Sequence, residues 1–359
     1  MSFIVQKAGN QAIDVNRVSG VDYHLTTNGS DWLWAVASIF GLLTVVYAAL
    51  FFAAEYKGSA LTRYALAVPF LISFFEFFFY FTYASNLGWT AIQAEFGHVT
   101  VDDPVTTASP GYRQIFYSKF VAWFLSWPLL LFLLELAGSS TTVPASELET
   151  LSVFDMVHSL LIQIFSAFFW VVSLLVGSLI RSSYKWGYWT FGAVTMLIGE
   201  AVIIRRHVFT LKLRGFSLGM LCTASVIVWL YFVCWGLSEG GNVIQPNSEA
   251  VFYGILDLCI FAIYPAYLLF IVARFGRWPS FSLRGGFGKD YHDTHTEKTS
   301  DPNSIRESGD THVVGAVPGV VSATGPDTHP STVSPSANTT TARAATNPHP
   351  TATATAEEV

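Results

Sequence analysis

Seven predominantly apolar runs, separated by short polar stretches, occupy residues 32–52, 66–87, 116–136, 153–180, 186–204, 216–237 and 250–275. Each is close to or above the roughly 20 residues an α-helix needs to cross a hydrocarbon core. In lipid every backbone N–H and C=O must find a partner within the chain, so the pattern predicts seven transmembrane helices. The polar positions between the runs are unevenly charged. Lys57, Arg63, Arg205, Arg206, Lys212, Arg214, Arg274, Arg277 and Arg284 would share one side of the membrane, while residues 89–112 and 238–249 contain no Lys or Arg. That asymmetry predicts an extracellular N-terminus and a cytoplasmic C-terminus, with Arg181 and Lys185 dissenting in one very short loop.

The flanks read differently. Residues 1–29 are mixed polar, without the basic stretch and short apolar core of a signal peptide, so the first span is expected to act as the insertion signal. From residue 279 to 359 Ser, Thr, Pro, Ala and His replace the apolar runs, which predicts a disordered cytoplasmic tail. The expected organisation is an extracellular segment over 1–29, a seven-helix domain over 30–278 and that tail.

Composition supports a membrane solution. The chain is 52% hydrophobic and 12% charged, whereas soluble domains carry about 25% charged residues. The net charge of −6 is spread over loops and tails, and no basic run suggests nucleic acid. Cys222, Cys234 and Cys259 all fall inside apolar runs, which argues against a disulfide framework or a metal site and for small buried side chains.

The acids inside the runs carry the chemistry. A carboxylate at bilayer depth costs roughly 2.5–3.5 kcal/mol on insertion scales and normally faces a bundle interior with a partner. Asp257 sits in the seventh run, and Glu76 interrupts Phe74-Phe75-Glu76-Phe77-Phe78-Phe79-Tyr80 in the second. The block Trp235-Gly236-Leu237-Ser238-Glu239-Gly240-Gly241, followed by Tyr253-Gly254-Ile255-Leu256-Asp257, resembles the sixth and seventh helices of fungal microbial rhodopsins. Ala84-Ser85-Asn86-Leu87-Gly88-Trp89 and Lys185-Trp186-Gly187-Tyr188-Trp189 add to the resemblance, which spans about residues 30–278.

The resemblance implies an all-α, seven-helix bundle of microbial-rhodopsin type. It also implies a retinal Schiff-base lysine four residues after the aspartate, where this chain has Phe261, and no Lys or Arg lies between Arg214 and Arg274. The third run departs in the same direction. Trp123 and Pro128 keep the frame, but the proton-acceptor position is Ala122, the donor position Leu133, and a pocket threonine is replaced by Trp127. Covalent retinal is therefore not expected, and the former pocket is bounded by Trp123, Trp127 and Asp257. Tyr231-Phe232 stands where Tyr-Pro is usual, restoring a backbone donor and removing a kink, and Pro265 should bend the seventh helix just beyond Phe261.

Glu76, Lys119, Asp257 and Glu239 are the candidates for a residual polar pathway. Lys119 replaces the family's arginine, with Asp257 or Glu239 as its partner, or else it snorkels to the interface. Asp257 is read either as part of an ion or ligand site or as an inherited acid held by Tyr or Trp donors. Glu76 is read either as linked to Asp257 or as an isolated acid bonded to a backbone carbonyl, the latter preferred. Glu135, Glu200 and His158 are read as unremarkable residues near span ends.

Among lysine-less members, the chain is most similar to opsin-related, heat-shock-type proteins of the fungal plasma membrane. That likeness implies a non-enzymatic, stress-associated regulator or chaperone-like protein in the lipid bilayer. The implied partner is a plasma-membrane transporter such as a proton ATPase, and a homo-oligomer stays open. The alternatives are a light-independent proton or ion pathway and a sensor for a non-covalent apolar ligand in the former pocket.

Overall fold

The computed structural model describes residues 9–101, 104–141, 151–277 and 281–282. Among the described residues, seven helical spans are long and apolar enough to cross a membrane, as the hydrophobic pattern predicts. The tail read over residues 279–359 lies outside the described residues, apart from Phe281–Ser282, which pairs in parallel with Leu151–Ser152.

A single turn of helix, α1 (Ala12–Val15), precedes the spans. The first two spans, α2 (Thr27–Lys57) and α3 (Ala60–Ala84), form a tight hairpin. Gly58 ends α2, and Ser59 caps α3 by accepting the amide of Thr62 at 3.2 Å. α4 (Ser118–Thr141) carries Pro128 yet remains continuous, and α5 (Val153–Ser178) starts on the cap Ser152. The last three spans each contain a widened π turn. α6 (Lys185–Ile204) runs into Arg205–Thr210, α7 (Phe216–Trp235) into Gly236–Gly240, and Leu258–Ile263 separates α8 (Pro246–Asp257) from α9 (Tyr264–Phe275). Such turns concentrate at functional positions. In the seventh span the widened turn begins at Leu258, so Phe261 lies inside it and Pro265 follows in the first turn of α9.

A feature absent from the sequence reading closes one end of the bundle. β1 (Trp89–Gln93) pairs antiparallel with β2 (Tyr112–Phe116), Trp89 opposite Phe116 and Gln93 opposite Tyr112. Phe116, read as the start of the third span, belongs to β2. The segment before α2 folds onto this hairpin: Tyr23 bridges to Arg113, Val21 and Leu25 are buried, and the Leu25 amide donates to Gln114 Oε1 at 2.9 Å. Asp22 clamps the hairpin's connection, accepting from the Thr106 and Tyr112 amides at 2.8 Å each and from Thr106 Oγ1 at 2.5 Å. Burial opposes ionisation of Asp22, but the Thr106 and Tyr112 donors prevail and hold its carboxyl below the ordinary value.

Candidate functional site

The bundle's centre is packed with aromatic side chains from α4, α5, α7 and the π turn after α8. Phe261 is fully buried, its ring edge-to-face with Trp127 at 5.3 Å. Trp127 in turn meets Trp170 at 5.4 Å and Tyr231 at 6.2 Å, and Trp170 meets Phe232 at 5.7 Å. Offset and edge-to-face pairs of this kind add about 0.5–1.5 kcal/mol beyond the area they bury. Trp127 and Phe261, the two substitutions singled out in sequence, thus fill the same volume from opposite helices.

Asp257 lies beside this plug, with three neutral donors around its carboxyl group. Oδ1 accepts from Tyr231 OH at 2.6 Å and Trp123 Nε1 at 3.0 Å, and Oδ2 accepts from Tyr80 OH. Donors from α3, α4 and α7 therefore converge on one acid of the seventh span. Glu76, fully buried on α3, bonds through Oε1 to Ser126 Oγ at 2.6 Å, not to a backbone carbonyl as the sequence reading preferred. Serine supplies a side-chain donor one turn below Trp123, which the sequence could not rank above a carbonyl. Glu76, Tyr80, Lys119, Ala122 and Asp257 border a cavity of ≈ 10 Å³, about the minimum for one water molecule.

The second polar group lies toward the hairpin end. Lys119 Nζ sits between Glu239 and Glu249 and 4.4 Å from the Tyr253 ring centroid. The candidate pairing of Lys119 with Asp257 is not formed; the partners are Glu239, which was anticipated, and Glu249, which was not. Glu249 also pairs with Arg113 Nη2 at 2.6 Å, and Arg113 Nη1 donates to Asn242 Oδ1 at 2.6 Å and to the Ile244 carbonyl at 2.8 Å. Two cations and two anions thus form one buried, charge-balanced cluster that ties β2, α4, the turn after α7 and α8 together. Ser238 Oγ and, at 3.3 Å, Tyr253 OH donate to Glu239 Oε2. Lys185, the dissenting basic residue, is buried and donates to the Glu239 carbonyl at 3.1 Å. Its bond ties the start of α6 to the turn after α7.

Glu135 and Glu200 are corrected as well. Glu135 is buried on α4, accepting from Gln163 Nε2 at 2.8 Å and pairing with Arg206 Nε at 3.2 Å, with His207 Nε2 at 3.5 Å. The π turn after α6 directs both Arg206 and His207 inward, which a regular helical period does not predict. Glu200 accepts from Trp229 Nε1 at 2.9 Å and from Ser225 Oγ, linking α6 to α7. His158 is exposed, as a residue near a span end would be. Ser126 and Glu135 are nine residues apart on α4, about 13 Å along the axis. Trp127, Leu130, Leu131, Leu133 and Leu134 are buried between them.

No family model matches the chain. Among curated proteins, the 30 kDa heat shock protein of Saccharomyces cerevisiae is 60% identical over 310 residues, covering 85% of this chain and 92% of the relative. The opsin-like protein carO of Fusarium fujikuroi is 37% identical over 271 residues, 72% of this chain and 80% of the relative. Among solved structures, the light-driven proton pump of Coccomyxa subellipsoidea superposes with a TM-score of 0.55 at 18% identity, covering 69% of this chain and 98% of the pump. The light-driven proton pump of Leptosphaeria maculans gives 0.53 at 20% identity, covering 69% and 95%. At those identities the structural likeness establishes the bundle's architecture and nothing of its activity.

Proposed function

Because the chain belongs to the fungal opsin-related family of seven-helix membrane proteins, we propose that it is a non-photochemical member that regulates or protects the fungal plasma membrane under stress. The observation that carries this reading is the edge-to-face contact of Phe261 with Trp127. An aromatic ring occupies the Schiff-base position and a second one packs against it, leaving Asp257 to neutral Tyr and Trp donors. A protein built this way acts through its surfaces and not through a light cycle. The name of the yeast relative, a heat shock protein, supports the link to stress.

The two alternatives draw less support from the geometry. A sensor for an apolar ligand needs an open pocket beside Asp257, and the cavity there is only ≈ 10 Å³. A proton pathway needs polar groups in series, and the apolar layer on α4 separates Ser126 from Glu135. The proposed orientation keeps the N-terminal segment and hairpin outside and the basic ends of the spans in the cytoplasm.

The proposed partner is a plasma-membrane proton ATPase. The test is ATP hydrolysis by that pump in membranes from heat-stressed fungal cells with and without this chain, combined with co-purification. Lower pump activity and recovery of the pump with the chain are expected. Equal activity together with no co-purification would refute the partnership.

A further inference from the structure

Residues 10–16 cross the start of α2 and the end of α3, beside the β1–β2 hairpin, as a strap tied at both sides. Asn10 Nδ2 donates to Ser30 Oγ at 2.7 Å and to Asp31 Oδ1 at 2.9 Å. At the other end Asn16 Nδ2 donates to the Ser85 carbonyl and Asn86 Nδ2 to the Asn16 carbonyl, both at 2.7 Å. Ile13 packs inward on the core while Val15 is 73% exposed. Beside the strap lies an open groove of ≈ 560 Å³, a volume within the usual range of about 300–1,000 Å³ for small-molecule sites. Trp34 and Phe81, both inside membrane spans, form one wall as an edge-to-face pair at 5.1 Å.

The lining chemistry selects the occupant. Among the described lining residues Asp31 is the single charged group, accompanied by the amide side chains of Asn10, Gln11 and Asn16, with no Lys, Arg or His. A phosphate head is recognised by cationic forks and would be repelled by the carboxylate. An uncharged hydroxyl can donate to Asp31, and a rigid apolar body can lie along the aromatic wall and Val15. Both wall residues belong to membrane spans and Phe81 is 47% exposed, so an apolar occupant can reach the site from lipid. We propose that this groove binds a membrane sterol, hydroxyl toward Asp31 and ring system against Trp34 and Phe81. The site shares no residue with the Asp257 and Lys119 clusters and stands independently of the stress-regulator reading.

The test uses the full chain in phosphatidylcholine nanodiscs with a photoactivatable sterol that keeps its 3-hydroxyl, the adducts being mapped by peptide. Saturable labelling of peptides containing residues 9–16, 31–34 and 81–85 is expected. The 3-keto analogue should compete roughly tenfold less well, since it cannot donate to a charged acceptor. Asp31→Asn should weaken labelling by a similar factor. Val15→Asp, at an exposed position that leaves the fold intact, should suppress it. Removing residues 1–8 should leave it unchanged. Labelling spread over all lipid-facing helices, or insensitive to both substitutions, would overturn the proposal. So would stronger labelling of the same peptides by a photoactivatable phosphatidylcholine, or labelling that emerges only after residues 1–8 are removed.

Discussion

Replacing Lys119 by Met tests whether the buried charge cluster holds the hairpin end of the bundle together. Lys119 is 4% exposed at its side chain, Glu239 0% and Glu249 1%, so all three charges are shielded from water. Arg113 continues to offset Glu249 at 2.6 Å after the substitution, and Glu239 becomes the uncompensated charge. Removing one partner of a buried pair costs about 3–5 kcal/mol. Both pairs of Lys119 are lost, but Arg113 still offsets Glu249, so one anion alone is left without a cation and the lower figure applies, about 3 kcal/mol. For a domain of this size that corresponds to a fall in unfolding temperature of about 6–12 °C. Heat unfolding in nanodiscs followed by tryptophan fluorescence measures it. The double variant Lys119→Met/Glu239→Gln removes the orphaned charge and should recover at least half of the loss. A single variant within about 0.5 kcal/mol of the parent, or a double variant less stable than the single one, would refute the charge-balance argument.

Phe261→Lys is expected to produce no light-driven acidification in vesicles supplied with retinal, because Ala122 and Leu133 leave the transfer path without acceptor or donor; robust pumping would show that this mapping of α4 is wrong. Glu135→Gln should destabilise the bundle by about 3–5 kcal/mol, since it leaves Arg206 buried without its anion, and an unchanged unfolding temperature would place that pair in water. Acid should loosen the hairpin's connection first. Asp22 has its carboxyl lowered in the folded state, so its contribution is complete above the ordinary value of 3.8 and is lost as pH falls below it. Hydrogen exchange of the Thr106 and Tyr112 amides should accelerate in that window, and Asp22→Asn should abolish the pH dependence.

The seven spans were legible because lipid demands long apolar helices, and that demand is written in composition alone. Asp257, Phe261 and Trp127 were legible because each sits in a motif whose frame survives around it. The partners were not. Glu249 and Arg113 lie far apart in the chain and meet only through the β1–β2 hairpin, whose five-residue strands carry no clear alternation. Lys185 and Glu135 were placed by their distance from span ends, which assumes regular helices and outward side chains. The π turn after α6 breaks the first assumption at Arg206 and His207, and a bond to the buried Glu239 carbonyl breaks the second at Lys185. The strap over α2 and α3 is hidden for a related reason: its ties are side-chain amides, bonding to side chains at Ser30 and Asp31 and to backbone at Ser85 and Asn16, and residues 10–16 have no period of their own.

The central claim, that the bundle cannot hold retinal covalently, is tested most directly by adding all-trans retinal to the purified full chain and recording the visible spectrum, followed by borohydride reduction and peptide mapping. The account predicts only the spectrum of free retinal and no reduced adduct within the bundle. A red-shifted band with a borohydride-trapped adduct on a lysine of the seven-helix domain would contradict it.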